Sequence, residues 1–384
     1  MADNRQIRMA VIGVGAMGQA HCKTIVERVP ELCLAAVVDN HEETAAAAGA
    51  RFHVPYFTRV DDLIRSHCAD AVFIVIPHPL HAAVAQACMN AKLHVLCEKP
   101  LAETVSAVDR MIACAKENTV TFGVMFQRRF EPTLAAAMEF ARSGALGCIV
   151  RSLCIIPEFR TQRYYDSNPW RATWRGEGGG VLLNQAPHII DVFLQITGLP
   201  TAVRGHVSTR QHDIEVEDHA EAMLRYADGG TGYFCCSTIE PRHGETIEVV
   251  GTTGRIYYHG GALRCSRYTT PVDTCSRTSD DVWGEPPMED VDLGIIDAPA
   301  GQFSVMQNFA RHLLFGEPLR CAGASGLASL EFANAITLSS YTNRELTLPI
   351  DRVEYDALLQ HLREASTFEK PQCAVERVTQ PQFR

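Results

Sequence analysis

The chain has no C-x-x-C pair, no basic block or stripe and no apolar run long enough to cross a bilayer. The first absence argues against a zinc ribbon or a dithiol redox motif, the second against a nucleic-acid footprint and the third against a membrane span. Internal repeats and low-complexity tracts are also missing, which excludes a solenoid or a disordered array. The N-terminal residues Met1 to Arg8 are polar and mixed in charge, with no apolar segment behind them suited to a signal peptide. A cytoplasmic protein is expected. Cysteine, by contrast, is abundant at 14 residues, but Cys22, Cys88, Cys97, Cys114 and Cys154 fall in apparent core segments. They read as reduced, buried thiols and not as a disulfide framework.

At 384 residues and 46% hydrophobic content, the chain exceeds the size at which one core keeps growing, so two domains are expected. The net charge of −10 favours solubility and gives no attraction for nucleic acid or anionic membrane. From Ile7 to about Phe126, short apolar runs alternate with helical segments, the pattern of a parallel sheet with crossover helices. Ala71–Ile76, His94–Cys97 and Val120–Phe126 read as strands, and His81–Ala91 and Val105–Asn118 as helices. Past Glu131-Pro132 a helix runs to about Ser143, and the texture then changes. Strands at 148–156, 202–209, 220–226, 232–238 and 246–250 suggest a second, α+β domain on a largely antiparallel sheet. Residues 264–300 read as hairpins and surface loop, and helices return at 303–315 and 324–341. The fold class is therefore α/β, with a dinucleotide-binding domain at 1–127 and a substrate and oligomerisation domain at 128–384.

The strongest local signal is Val11-Ile12-Gly13-Val14-Gly15-Ala16-Met17-Gly18, a G-x-G-x-x-G turn after an apolar run, answered by Asp39 at the end of Leu34–Val38. Gly13 makes the tight turn, Gly15 admits a pyrophosphate to the backbone, and Gly18 lets the next helix pack on its strand. The helix start at Ala16 and Met17 offers free N–H groups and a positive dipole end to phosphate. Asp39 can accept hydrogen bonds from both ribose hydroxyls. A 2′-phosphate would meet its charge, so NAD is expected in preference to NADP.

Ligands on such sheets lie beyond the carboxyl ends of the strands. One strand ends in Glu98-Lys99-Pro100, where Lys99 can hydrogen-bond a substrate hydroxyl and stabilise the alkoxide character that grows as hydride leaves. The preceding strand ends in Ile76-Pro77-His78-Pro79-Leu80-His81, a cofactor-facing turn. His78 and His81 lack a carboxylate or cysteine partner nearby, so no metal is expected. Farther on, Gly178-Gly179-Gly180-Val181-Leu182-Leu183-Asn184-Gln185-Ala186-Pro187-His188 combines glycines for close backbone approach with apolar spacing that reads as a helix. On that reading Asn184 and His188 share one face, and Pro187 kinks the helix beside His188. Amide and imidazole together could position a hydroxyl and accept its proton.

Together with Gly316-Glu317-Pro318-Leu319 and Ala333–Ser340, these motifs resemble the glucose–fructose oxidoreductase and inositol dehydrogenase (Gfo/Idh/MocA) family over nearly the whole chain. The resemblance implies an N-terminal Rossmann domain binding NAD(P), and a C-terminal open-faced sheet that covers the nicotinamide and forms a homodimer or homotetramer. It places the family lysine at Lys99 and the acid/base histidine at His188. The family more often has aspartate where this chain has Asn184; an amide exchanges no proton at neutral pH, leaving Asn184 to orient substrate. Tyr164, Trp174 and Arg129 are expected on the substrate, and Gln127, Trp170 and Arg171 join Ile76, Pro77, His78, His81, Glu98 and Lys99 on the cofactor. Alternatively, Arg128 and Arg129 serve as interdomain ion-pair donors. The implied reaction is oxidation of a secondary ring hydroxyl of a sugar, polyol or glycoside, with glucosyl-type rings at C3 the nearest likeness. The competing expectations are a cis-dihydrodiol dehydrogenase, which calls for a more apolar pocket, and a cofactor-sensing regulator, which has no use for Lys99 and His188.

Overall fold

A computed structural model describes residues 5–369; the outer ends of the two expected domain spans, 1–4 and 370–384, lie outside the described residues. The first sheet is built from continuous apolar runs. In β1 (Ile7–Ile12), Met9, Ala10 and Val11 are fully buried, as a parallel strand covered by helices on both faces requires. The chain continues through α1 (Ala16–Arg28), β2 (Leu32–Val38), α2 (Glu42–Phe52), β3 (Tyr56–Phe57) and α3 (Val60–Ser66). It then reverses direction across the sheet with β4 (Ala71–Ile74), α4 (His78–Asn90), β5 (His94–Cys97), α5 (Val105–Asn118) and β6 (Phe122–Val124). Every pair is parallel, and the order β3-β2-β1-β4-β5-β6 is the doubly wound arrangement the sequence predicts. The strand order reverses between β1 and β4, and ligands on such sheets lie beyond the carboxyl ends of the strands at that point.

The second sheet is assembled after α6 (Pro132–Arg142) from β7 (Ile149–Pro157), and a long connection carrying α7 (Gln162–Asp166) and α8 (Pro187–Thr197) leads on. Strands β8 (Ala202–Ser208), β9 (His219–Arg225), β10 (Thr231–Ser237), β11 (Thr246–Gly251), β12 (Gly254–His259) and β13 (Ala262–Tyr268) follow. After α9 (Val272–Thr278) and β14 (Met288–Asp290) come α10 (Gln302–Phe315), α11 (Leu327–Thr342), β15 (Leu346–Thr347) and α12 (Arg352–Ala365). The nine strands pair in the order β14-β13-β12-β11-β7-β10-β9-β8-β15, antiparallel except for β7 with β10. The expected antiparallel second sheet is thus present. Among the described residues, no helix is long and apolar enough to cross a membrane.

Helix α11 joins the two layers. Its residues are buried almost all round, from Leu330 and Phe332 to Ile336 and Leu338, the mark of a helix sandwiched on both sides. One side faces β8, where a side chain at Gly205 would collide with the Ile336 backbone. The other faces α5: Asn334 Oδ1 accepts the Val105 N–H at 3.2 Å while its amide donates to the Glu103 carbonyl at 3.1 Å.

Arg129 makes the second connection. Its Nε donates to Asp191 on α8 at 2.7 Å, a second guanidinium N–H reaches the same carboxylate, and others reach the Arg320 carbonyl (2.8 Å) and Ser325 Oγ (2.7 Å). Both partners are buried, 4% and 2% exposed. This guanidinium has no donor left for a substrate, so the expected substrate contact at Arg129 gives way to an ion pair, one that ties the segment after β6 to α8 within the second domain span. Arg128 likewise pairs with Glu131 (2.7 Å) and Glu245 (3.3 Å) and donates to Tyr258 Oη at 3.1 Å.

Removing one partner of a buried pair strands the other charge, so Asp191→Ala is expected to cost about 3–5 kcal/mol in urea unfolding. The exposed Arg8–Asp70 pair provides the contrast: Arg8→Ala is expected to cost far less. Equal losses at the two sites would contradict the reading of Arg129–Asp191 as a buried, fully committed pair.

Candidate active site

Four turns meet at the carboxyl edge of the first sheet. The glycine turn follows β1: Gly13 has φ +91, and a side chain there would strike the Val75 carbonyl, while one at Gly18 would lie 1.8 Å from the Gly13 oxygen. At Gly15 a Cβ meets nothing within 4 Å. Gly13 and Gly18 are therefore required by the fold, and Gly15 leaves open the space a pyrophosphate needs at the start of α1, beside Ala16 and Met17. Asp39 ends β2 and accepts the Val14 and His41 N–H groups, each at 3.0 Å, which fixes its carboxylate beside the turn.

The turns after β4 and β5 are tied together by His81. Fully buried, its ring lies between the Ile76 carbonyl (Nε2, 2.8 Å) and the Pro100 carbonyl (Nδ1, 2.9 Å). Burial lowers its pKa. Glu98 is likewise held: Oε1 takes His21 Nε2 at 2.8 Å and Oε2 the Lys99 N–H at 3.1 Å. Burial opposes the charged form of Glu98, yet His21 and Lys99 outweigh it and bring the pKa below the usual value. His81 and Glu98, both expected on the cofactor, have their side-chain polar groups committed to these turns. Pro77 caps α4, and His78 opens it with its ring 5.8 Å from both His81 and Trp170.

Lys99 points out of the first domain into the second. Its Nζ donates to the main-chain carbonyl of Asn184 at 2.7 Å. Burial lowers its pKa, with Glu98 and Glu177 opposing that shift and Arg171 and Arg160 adding to it.

The segment after the glycines departs from the expected helix. Residues 181–185 form turns, α8 begins at Pro187, and Asn184 and His188 share no helical face. Proline is favoured at the first helical position, where its missing N–H is an unsatisfied group anyway, so no kink forms beside His188. The turns are closed by a carboxylate from a remote strand connection: Glu217 Oε1 accepts the N–H groups of Gly180 (2.9 Å) and Leu182 (3.1 Å). A side chain at Gly180 would collide with the Glu217 backbone, which is why glycine is needed there. Burial raises the Glu217 pKa to about 7.

His188 therefore occupies the first turn of α8, half-buried, edge-on to Phe126 with centroids 5.9 Å apart. Gln127 Nε2, as oriented, donates to His188 Nε2 at 3.3 Å. Burial brings the imidazole pKa well below 6.5, with Lys99 and Arg128 adding to the effect. The positive end of α8 acts in the same direction. The Asn184 amide turns away and donates to Glu177 Oε1.

Tyr164 lies between two guanidinium groups, Arg171 at 4.2 Å and Arg160 at 5.1 Å from its ring, and its hydroxyl meets Arg171 and the Gln185 amide (3.1 Å). Arg171 also stacks on Trp170 at 4.9 Å. Trp174 does not belong to this group: 4% exposed, it packs edge-on to Tyr341, and its backbone N–H donates to Glu215 at 2.8 Å. The expected substrate contact at Trp174 is replaced by core packing.

Buried polar atoms are normally paired. Here His78 Nδ1, Gln127 Oε1, Arg171 Nε, Gln185 Oε1 and His188 Nδ1 are buried without a hydrogen-bond partner. Sequence reasoning passed over Gln185, Glu177 and Glu217. A carboxylate directly before a glycine run was the available signal for Glu177; nothing local marks Glu217. Among the described residues, no group of His, Cys, Asp and Glu could hold a metal ion.

The glycine geometry separates two roles. Gly15→Ala is expected to leave stability within about 0.5 kcal/mol and to weaken NAD binding at least about tenfold in calorimetric titration. Gly18→Ala is expected to lower the unfolding midpoint as well. A Gly15→Ala protein with unchanged NAD affinity would show that the open space is not the pyrophosphate site.

Comparison with known proteins agrees with this geometry. The oxidoreductase family with an NAD-binding Rossmann fold (GFO_IDH_MocA) matches residues 7–126, and the GFO/IDH/MocA C-terminal domain matches residues 134–257. An inositol 2-dehydrogenase of Rubrobacter xylanophilus is 36% identical over 149 residues, 38% of this chain and 43% of its own length. The chain thus spans less than half of that relative. The levoglucosan dehydrogenase of Pseudarthrobacter phenanthrenivorans is 27% identical over 293 residues, 66% of this chain and 74% of its own. The WlbA dehydrogenase from Bordetella pertussis, solved with NADH and UDP-GlcNAcA, superposes with a TM-score of 0.77 at 26% identity over 90% of this chain and all of its own. With two domain matches in tandem that together span well over half of its length, the chain belongs to the Gfo/Idh/MocA oxidoreductase family and carries that family's NAD-binding Rossmann fold.

Proposed function

We propose that this protein oxidises a secondary ring hydroxyl of a sugar, polyol or glycoside to a ketone, with NAD as hydride acceptor. The observation that carries this reading is the convergence of Lys99 and a neutral His188 on a seam lined by unpaired buried donors and acceptors. When bound, NAD supplies an electrophilic nicotinamide that takes the hydride. The chain's own residues do the rest. His188, held uncharged by burial, accepts the hydroxyl proton at Nε2 in place of its contact with Gln127. Lys99 donates to the same oxygen and favours its alkoxide character. Gln185, Tyr164 and Arg171 present hydrogen-bonding groups to the remaining hydroxyls. Trp170 and His78 flank the cofactor side, and Asp39 meets the adenosine ribose.

The named activities of relatives, on inositol and levoglucosan, support a polyhydroxylated ring. A glucosyl-type ring oxidised at C3 is our specific choice. The polar, cationic lining disfavours an apolar dihydrodiol, and a regulator has no need of a buried lysine beside a neutral imidazole. A homodimer or homotetramer in the cytoplasm is part of the same reading. By register, Met223, Tyr233, Leu153, Glu248 and Tyr257 line up across one face of the second sheet, and Met223 and Tyr257 are exposed. The 13 described cysteines are all free, which suits a reducing compartment.

The test is NADH formation on a panel of polyols, free sugars, glucosides and a cis-dihydrodiol, with the ketone position assigned by NMR. Glucosides are expected to give the highest kcat/KM. Lys99→Ala and His188→Ala are each expected to slow single-turnover hydride transfer by about 10²-fold or more while leaving NAD affinity within about twofold. Turnover of the dihydrodiol alone, or a normal hydride step in His188→Ala, would overturn the assignment.

A further inference from the structure

Glu177 stands next to the proposed chemistry without a part in it. Only 1% exposed, it precedes Gly178 in the connection between α7 and α8. Oε2 accepts the Ala172 N–H at 2.6 Å and Oε1 accepts the Asn184 amide. Ala172 has φ +58, a left-handed conformation unusual for a residue with a side chain, so the carboxylate braces a constrained turn. The backbone carbonyl of Asn184 in turn holds Lys99 Nζ at 2.7 Å. Glu177, Asn184 and Lys99 thus form one chain of contacts across the domain seam.

A carboxylate only accepts hydrogen bonds, so Asn184 must offer it the NH2 end of the amide. The Oδ1 end then faces away from Glu177, as a fixed acceptor. The charges complete the arrangement. Lys99 feels Glu98 and Glu177 as anions, and Arg171 and Arg160 as cations; His78 and His188 lie near enough to feel the ammonium. Burial raises the Glu177 pKa, while Arg171, the Ala172 N–H, the Asn184 amide and Lys99 oppose that shift and favour its charged form; Glu217 also faces it. Glu98 is already committed to His21. Arg160 is paired with Glu158 at 2.7 Å, so without Glu177 it is Lys99 and Arg171 that lose the anion they share.

We propose that Glu177 is a positioning residue for the dehydrogenase reaction, presenting Asn184 as an acceptor to the substrate hydroxyls and keeping Lys99 cationic. This rests on the reading of Lys99 as the donor to the reacting oxygen. It also assigns Asn184 its neutrality: an aspartate there would put two carboxylates in contact, and one would have to take up a proton.

The test is the pH profile of kcat/KM for the best sugar of the panel, with NAD saturating, in four variants. Glu177→Gln removes an anion near Lys99, and a cation that loses an anion gives up its proton more readily. The alkaline limb is therefore expected at lower pH than in the wild type, with kcat reduced about tenfold or more at the optimum and NAD affinity unchanged. Asn184→Asp alone is expected to lose activity by a similar factor. In the double variant Glu177→Gln/Asn184→Asp, the introduced amide donates to the introduced carboxylate and still accepts the Ala172 N–H. One anion is back beside Lys99, and the alkaline limb is expected to return toward the wild-type position. Lys99→Met separates the role of Lys99 from that of Glu177. If it leaves rate and limb intact, the assignment of Lys99 fails; if it abolishes turnover while Glu177→Gln leaves the limb in place, the role of Glu177 fails alone. Should Glu177→Gln not fold, the double variant decides: a wild-type limb supports the proposal, and a displaced limb or an inactive folded protein overturns it.

Discussion

The site depends on one hydrogen bond, from Lys99 Nζ in the first domain to the Asn184 carbonyl in the second at 2.7 Å. A lysine in open solvent would be strongly hydrated and mobile, with three donors pointing nowhere in particular. Anchored to a carbonyl across the seam, its ammonium has one direction fixed. Burial then gives its charge a reach it would lack in water, and His188 feels that charge as a further reason to stay neutral. The domain interface therefore determines both the geometry and the protonation states of the proposed catalytic pair.

That interface needs rigid support on both sides. The Arg129–Asp191 pair fixes α8, and with it His188, against the end of the first sheet. Helix α11 is buried between the two layers, and Asn334 satisfies backbone groups at the start of α5. On the far side, Glu217 gathers the glycine segment from a remote strand connection. These contacts are buried and polar, so each is costly to leave half-made. They specify one docking of the domains more than they add stability.

What was legible in the sequence was local. The β1 turn, α1 and Asp39 lie within about thirty residues, each with a steric or hydrogen-bonding reason for its identity, and the strand ends carrying Lys99 and His78 follow from the alternation of the first domain. What was misread depends on distant partners. Val181, Leu182, Leu183 and Ala186 have helical spacing, but a carboxylate more than thirty residues away holds them as turns, and Pro187 then begins the helix instead of kinking it. The sequence left Arg129 between a substrate contact and an ion-pair donor because its partner, Asp191, is 62 residues distant. Trp174 looked like a sugar platform because its cover, Tyr341, comes from α11. Glu177 was overlooked for the opposite reason: a charged residue beside glycines reads as a solvated loop until the fold closes over it.

On this reading the seam keeps His188 uncharged, and so ready to accept a proton, at neutral pH. The most direct measurement is a 15N NMR titration of the protein labelled at histidine nitrogens, with the His188 resonances assigned by their loss in His188→Gln. His188 is expected to stay in its neutral form through pH 6.5, the ordinary histidine value, and to protonate only in more acidic solution. A His188 imidazole that titrates at or above 6.5 would contradict it.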